Sequence, residues 1–397
     1  MDIERDRPYR RTEFACMTGA PPYARTGMRS RAGLKRTAFY PTIGAIATDF
    51  KLHNTYLKPD QFTDSVEEYW ACRRVAGLWD VTGEEIIEIA GPDALALMDS
   101  LVPRDLTRMK DGQCYYAIMC YDFGGIVEDA VLVRFSAEKF WWIAGPGNSE
   151  FWIYANAQGK RVTITSHLDT IHVASIQGPK SRDILQKVCA ADLSTLPFYW
   201  SVETQVCGAP VVISRTGYTA ELGYDIYVPV EHGAKMFADL WDHARPAGVK
   251  LAGSRALNLR RMEASILNFG HDFDWQHNPA QIGLGWMINE TKGDYRARDL
   301  LIRAKKETPA TQLAGLTLAG PEIPIDGDRV TLDGRDVGYI TSASQSHELG
   351  HPIAIAFLET PATRHGTTLR VVAGDRNLDA TVVPMPFFDP ERRLSKV

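Results

Sequence analysis

Asp129 ends the run Gly124-Gly125-Ile126-Val127-Glu128-Asp129, directly ahead of the apolar stretch Ala130–Phe135. Two glycines permit a backbone turn that residues with a β-carbon resist, so the spacing predicts a carboxylate delivered at a strand mouth. Aimed into a cavity, a desolvated Asp there can hold or relay the proton of a nitrogen nucleophile. Aimed outward, it is an ordinary hairpin carboxylate. A second constellation, Arg215-Thr216-Gly217-Tyr218-Thr219-Ala220-Glu221-Leu222-Gly223, places Tyr218 in a glycine-flanked loop and Asp225 on the strand that follows. An aromatic face plus a carboxylate suits a flat heterocycle with an N–C–N–H edge, such as a pterin or guanine. The carboxylate accepts two parallel N–H bonds while the ring stacks. A plain hairpin would carry the same letters. Arg255, Arg260 and Arg261 stand in a helical stretch, with Arg261 on the side of Leu257 and Ala264. An arginine on an apolar face needs an anionic partner, either Glu263 or a substrate carboxylate.

These residues need elements to hold them. Glu85–Ala90 alternates as a strand, and Gly91-Pro92 then opens a helix with Leu97, Met98 and Leu101 on one face. The same unit returns 87 residues on, where Thr170–Ile176 is strand-like and Gly178-Pro179 opens a helix with Ile184, Leu185 and Val188. Proline at the first helical position is pre-organised and forfeits no needed N–H. The repeat predicts a duplicated α+β body. Strands are expected at Cys114–Cys120, Ala130–Phe135, Pro210–Ser214 and Tyr224–Val228, and helices at about 231–244 and 253–266. From Thr311 the texture turns to short β-rich runs, with Asp326-Gly327 and Asp333-Gly334 as hairpin dipeptides. This predicts a C-terminal antiparallel β-barrel over 307–397, behind a body over 37–306. Residues 1–36 carry nine Lys/Arg against four Asp/Glu and have no periodicity. They read as an arm laid on the body or on a second copy in a homodimer, or as a disordered tail.

With 397 residues and a net charge of −5, the chain is large enough for two or three domains and lacks the basic excess of a nucleic-acid binder. No apolar window is long enough for a membrane span, and no secretory signal follows Arg10-Arg11, so a cytoplasmic enzyme is expected. The six cysteines show neither CxxC nor zinc-ligand spacing, so they read as core thiols and no metal is expected.

Taken in order, several segments resemble the glycine-cleavage T-protein (aminomethyltransferase) family. They are Cys72–Val81, Gly124–Asp129, Gln177-Gly178-Pro179-Lys180, Arg215–Thr219, Arg261-Met262-Glu263-Ala264, Asn278-Pro279…Gly283-Leu284-Gly285-Trp286, Asp336–Ser342 and Leu349-Gly350…Ile353-Ala354. The resemblance implies two intertwined ferredoxin-like α+β domains and a C-terminal β-barrel, ringed around a central tetrahydrofolate site. It puts Asp129 on the family's catalytic aspartate and Tyr218 and Asp225 on the pterin-binding aromatic and carboxylate. Tyr116, Arg255, Arg261 and Trp286 fall on further folate contacts. The usual pterin carboxylate is Glu, so Asp225 is one methylene shorter. Arg255-Ala256-Leu257 is similar to the folate modules of dimethylglycine and sarcosine dehydrogenases.

Other positions depart from the T-protein pattern. Where T-proteins read Asp-Val-Ser-His-Met, this chain has Asp80-Val81-Thr82-Gly83-Glu84, and Ala144-Gly145-Pro146-Gly147 replaces the family's Asn. These sites line the side where a lipoyl carrier arm would arrive, which argues against the carrier H-protein as partner. Instead His53–Leu57, Ser65–Trp70 and Pro103–Leu106…Gly112-Gln113-Cys114 resemble the dimethylsulfoniopropionate demethylase branch. The reading is therefore a tetrahydrofolate-dependent methyl transferase acting on a small sulfonium or a methyl ether, with His53, Tyr56, Glu84 and Trp142 at the donor pocket. Trp141, Trp142 and Trp152 would cage a sulfonium or stack an aryl ether, or simply pack the core. Two other activities remain open: a lyase releasing formaldehyde, with or without folate, and the aminomethyltransferase of glycine cleavage. Folate-binding accessory proteins of iron–sulfur enzymes carry a cysteine near 278–286, and this chain has none there.

Overall fold

A computed structural model describes residues 34–397, so the expected arm lies outside the described residues except for its last three. The described chain opens with a small sheet ordered β1-β3-β2, made of β1 (Lys35–Arg36), β2 (Asp49–His53) and β3 (Tyr56–Gln61), with α1 (Tyr40–Ile43) between the first two. Helix α2 (Ser65–Arg74) starts where the Asp64 carboxylate accepts from the backbone N–H groups of Val66 and Glu67. It carries Glu67 and Glu68 in its first turn and Arg73 and Arg74 in its last, matching the helix dipole.

Strand β4 (Gly77–Asp80) begins one sheet, and the chain then leaves it. It builds β5 (Glu85–Ala90), α3 (Ala94–Leu101), β6 (Cys114–Cys120), β7 (Ile126–Ser136), β8 (Lys139–Ala144), α4 (Ser149–Asn156) and β9 (Thr163–Ser166). It returns through β10 (Ile171–Gln177), α5 (Ser181–Gln186), β11 (Ser201–Val206), β12 (Ala209–Ser214), β13 (Gly223–Pro229), α6 (Val230–Ala244), β14 (Lys250–Leu251) and α7 (Ser254–Glu263). The sheet orders are β11-β12-β13-β10-β4-β14 and β6-β7-β8-β5-β9. The second sheet is thus threaded between two neighbouring strands of the first, which makes the two α+β units intertwined.

Strand periodicity decides what faces what, since successive side chains alternate sides. In β7 and β8, Ala130, Leu132, Phe140 and Trp142 join the core under α3 and α4 with Leu97, Met98 and Ile153. Val131, Val133, Trp141 and Ile143 point the other way and meet Trp79, Val173 and Tyr227 of the partner sheet. Asp129 shares the parity of Val131, and Asp225 that of Tyr227, so both belong to the space between the sheets. Trp142 does not. Its indole is fully buried on the helix side and donates to Ser149 Oγ at 2.9 Å, which removes it from the donor pocket.

Both strand–Gly-Pro–helix units are present, with one correction. The helices start at Ala94 and Ser181, so Pro92 and Pro179 sit in the preceding turn and not at the first helical position. The glycines are what the unit requires. Gly91 and Gly178 have φ of +138° and +141°, and a β-carbon at Gly178 would lie 2.5 Å from Cys72 O. Gly208, by contrast, has φ +78° and open space around it. Gly178→Ala is expected to cost more than 2 kcal/mol, through clash added to strain, and Gly208→Ala about 1 kcal/mol through strain alone. Urea denaturation of the two variants checks the ranking.

After α8 (Arg298–Lys306), six strands close a barrel in the order β15-β18-β17-β16-β19-β20. They are β15 (Thr311–Leu318), β16 (Arg329–Leu332), β17 (Arg335–Gln345), β18 (Pro352–Glu359), β19 (Thr368–Ala373) and β20 (Arg376–Val383). Asp333-Gly334 makes the β16–β17 hairpin with both residues at positive φ. Asp326-Gly327 instead turns the chain into β16, and Gly327 N donates to Ile340 O. Among the described residues no helix is long and apolar enough to cross a membrane.

Candidate functional site

Asp129 is the fourth residue of β7, not the last residue of the loop before it, because pairing with β6 already begins at Ile126. The Tyr116 hydroxyl, from β6, donates to Asp129 Oδ2 at 2.8 Å. Burial pushes the Asp129 carboxyl up to about 6, and the phenol hydrogen bond pulls against that rise. The result is a carboxylate that is mainly ionised at neutral pH yet basic enough to accept a proton.

Asp225 sits on β13 opposite Ser175 of β10 and Ser214 of β12. Its Oδ1 accepts from Ser175 Oγ at 2.6 Å and its Oδ2 from Thr216 Oγ1 at 2.7 Å. Burial raises its pKa and these two bonds oppose the rise. Gln177 organises the surroundings: its Nε2 donates to Ser175 Oγ and Thr216 O, and its Oε1 accepts from Thr219 Oγ1. A β-carbon on Gly217 or Gly223 would stand 2.1 Å from the Gln177 amide, so both glycines are needed for its approach. The Tyr218 hydroxyl donates to Leu267 O at 2.7 Å, fixing the ring at the start of the loop. Burial drives its pKa far up, with Asp129 and Glu84 among the charges that reach it.

Glu84 stands at the crossing from β4 to β5, between the two sheets. Burial pushes its carboxyl up, Asp225 and Asp129 add to the rise, and the Lys58 ammonium opposes it. Lys58 escaped the sequence reading. Its signal was parity in β3, where Tyr56 and Lys58 point inward while Leu57 is partly exposed. Tyr199 was missed too; burial pushes its phenol up to about 12, and Asp225 and Asp129 are among its neighbours.

The remaining expected residues divide differently. His53 packs on Gly83 beside Glu84, and Lys58 and burial hold its pKa well down. Tyr56 packs near Gly83 as well, but its hydroxyl is engaged by Leu168 O and Asp169 Oδ1, and its ring meets His172 edge-on. Arg255 is half exposed and clamps the β2–β3 hairpin through Asp60 Oδ2 at 2.7 Å, Gln61 Oε1 and Asp49, so it is not a free folate ligand. Arg261 is buried, but its partner is not Glu263. It pairs with Asp272 at 2.6 Å and donates to Ser342 Oγ of the barrel, while Arg260 takes Glu263 and Glu221. Trp286 stands exposed at an outer edge, 5.3 Å from the Arg104 guanidinium, whose Nη1 donates to Tyr116 O. The group brought together is therefore Asp129, Tyr116, Tyr218, Asp225 and Glu84, joined by Lys58.

The residues present fit a pterin. A carboxylate has about four lone-pair positions, and two on Asp225 remain beyond the Ser175 and Thr216 bonds. The chemistry is that of a nitrogen-rich ring edge meeting a desolvated acceptor, with Asp129 placed to take a proton. Among the described residues no group of three or more His, Cys, Asp or Glu is arranged to hold a metal ion.

Comparison with known proteins gives consistent likenesses. The family described as the GCVT N-terminal domain matches residues 24–292, and the glycine cleavage T-protein C-terminal barrel domain matches residues 312–389. An aminomethyltransferase of Symbiobacterium thermophilum is 33% identical over 371 residues, covering 91% of this chain and 99% of that protein. One from Caldanaerobacter subterraneus subsp. tengcongensis is 31% identical over 369 residues, covering 91% and 98%. A trimethylamine-oxide aldolase of Ruegeria pomeroyi is 31% identical over 375 residues, covering 90% of this chain and 47% of that protein. In fold, the chain is similar to the crystal structure of glycine cleavage system aminomethyltransferase T from Bartonella henselae. The TM-score is 0.84 at 21% identity, with 90% of this chain and 99% of that chain covered.

Proposed function

The chain belongs to the glycine cleavage T-protein (GCVT) family of folate-dependent one-carbon enzymes, and from that premise we propose that it moves a methyl group from a small sulfonium or methyl ether to tetrahydrofolate. Tetrahydrofolate, when bound, supplies the nitrogen that accepts the one-carbon unit. The observation that carries the reading is Asp129, a half-buried carboxylate that accepts a hydrogen bond from the Tyr116 phenol at 2.8 Å and faces the space between the two sheets. Asp225 accepts the pterin edge, the Tyr218 ring flanks it, and Asp129 takes the proton shed as the nitrogen is alkylated. Holding donor and acceptor in one cavity supplies roughly 7–11 kcal/mol of barrier lowering. Glu84, where T-proteins carry Met, supports a small free donor over a carrier-bound aminomethyl group.

The test is product analysis with the purified enzyme, candidate methyl donors and tetrahydrofolate. The expected product is methylated tetrahydrofolate, formed only when folate is present. A second reading, release of formaldehyde, is favoured by the likeness to the trimethylamine-oxide aldolase; formaldehyde formed equally well without folate would overturn the first reading in its favour. Asp225→Asn is expected to weaken tetrahydrofolate binding by about 10- to 100-fold, the worth of a charge-assisted hydrogen bond. Fluorescence titration of tetrahydrofolate measures it.

A further inference from the structure

The hydrogen bonds behind Asp225 run in one direction, and the backbone fixes it. Glu221 N donates to Thr219 Oγ1 at 3.2 Å, so the Thr219 proton is left for Gln177 Oε1 at 3.0 Å. At the other end of the amide, Gln177 Nε2 meets Thr216 O at 3.0 Å, and a carbonyl can only accept. The two ends agree, so the Gln177 amide has one orientation. Its second Nε2 hydrogen goes to Ser175 Oγ at 2.9 Å, and Ser175 in turn gives its own proton to Asp225 Oδ1 at 2.6 Å. Ser175, Gln177, Thr216 and Thr219 are each at most 4% exposed, so bulk solvent does not reach the chain to reverse it. Gly217 and Gly223 close on the same amide and leave it no second seat.

The other oxygen is served differently. Thr216 Oγ1 donates to Asp225 Oδ2, and behind it stand the hydroxyls of Ser214 and Tyr227. A chain of hydroxyls can run either way, because each both donates and accepts. Only the Ser175 arm has its direction fixed. We propose that Gln177 is a positioning residue for Asp225: it commits Ser175 to donate and holds the Thr216 carbonyl, so that Asp225 is kept as an anion and offers its remaining lone pairs to a ring edge of N–H donors. A donor locked against a carboxylate oxygen favours the charged form. Burial opposes that charge, and the Ser175 and Thr216 bonds support it. This deepens the methyl-transfer reading and rests on it for the ligand at Asp225.

The experiment is tetrahydrofolate binding, by fluorescence titration across a range of pH, in the full chain and its variants. Affinity is expected to fall on acidification as Asp225 takes up a proton. Ser175→Ala removes the donor at Oδ1 and should move that fall to higher pH by about one unit, the worth of a hydrogen bond to a charged group. Gln177→Met, which removes no contact of Asp225 itself, should move it the same way by about half a unit or more. In a Ser175→Ala/Thr216→Val background both donors are already gone, and adding Gln177→Met should shift the profile no further. The titratable groups facing Asp225 are Glu84 at the β4–β5 crossing, Cys114 of β6, Tyr199 ahead of β11 and Tyr227 on its own strand. They are common to all the variants, so the readout is the difference between profiles. Affinity lost equally at every pH in Gln177→Met marks a packing residue and overturns the proposal, as does a further shift in the stripped background. Should Gln177→Met not fold, Thr219→Val frees the amide to turn without opening a cavity, and an unshifted profile there overturns the proposal. Asp225→Asn binding tetrahydrofolate as tightly as wild type takes the pterin edge away from Asp225, and this proposal with it. The expected shifts without methyl transfer sink the transfer reading alone.

Discussion

Asp129→Asn is expected to lower methyl-transfer turnover by about 10²- to 10⁴-fold, the usual worth of a positioned general base, while leaving tetrahydrofolate binding within a few-fold of wild type. Wild-type turnover should fall as pH drops through about 6, where the Asp129 carboxylate takes up its proton. Tyr116→Phe removes the hydrogen bond that holds that value down, so its acid limb should move to higher pH. The same shift has a stability consequence of opposite sense. The folded-state pKa lies above the unfolded value of about 3.9, so the contribution of Asp129 is most favourable below about pH 4 and is lost as pH rises through 6. Asp129→Asn should therefore be more stable than wild type at pH 8, by on the order of 2–3 kcal/mol, and should lose that advantage at pH 4. Urea denaturation at both pH values reads the difference. Turnover unchanged in the Asn variant would remove Asp129 from the mechanism.

Arg260→Met is expected to be the most destabilising of these changes, at about 3–5 kcal/mol, because it leaves buried carboxylates without their counter-charge. The Arg260 guanidinium is 1% exposed and donates to Glu221 at 2.7 Å, to Glu263 at 2.7 Å and to the Tyr69 hydroxyl. Glu263 in turn accepts from Tyr69 of α2 and from Ser346 Oγ and Glu348 N, which follow β17 of the barrel. One arginine thus holds α2, α7, the Tyr218 loop and the barrel in register. Burial pushes the Glu221 carboxyl up to about 7, with Arg260 and Arg73 restraining it. Adding Glu221→Gln and Glu263→Gln to Arg260→Met should recover part of the loss, since the stranded charges are then gone. Thermal denaturation of the single and triple variants checks this. A triple variant weaker than the single one would mean that geometry, not charge, dominates the network.

Much of this architecture was readable because it rests on local rules. The Gly-Pro repeat was legible since only glycine tolerates the backbone at 91 and 178, and the barrel strands were legible from alternation and turn dipeptides. Asp129 and Asp225 stood out in the sequence by residue type and spacing, but that both face the space between the sheets depended on a parity set by neighbouring strands. Parity also separated Trp141 from Trp142, two identical letters in sequence that face opposite cores. Arg255 was misplaced because its acceptors, Asp49, Asp60 and Gln61, come from a hairpin far upstream, which no local pattern announces. Lys58 went unremarked in the sequence, being one lysine on a short strand. Only the docking of that hairpin on the Glu84 turn makes it an interior cation.

The threading of one sheet through the other also sets an order of birth on the ribosome. The five-stranded sheet is complete once β9 has emerged, but β4 waits beside it with both edges bare until β10, and finally β14, are made. A chain stopped anywhere in that interval offers a buried-type strand to any other strand nearby, the circumstance in which nascent chains aggregate. Glu84 is synthesised long before the sheet that gives it Asp225 as a neighbour. Ligand binding by this pocket therefore reports that the whole body has been made and closed, and no shorter product of translation should show it.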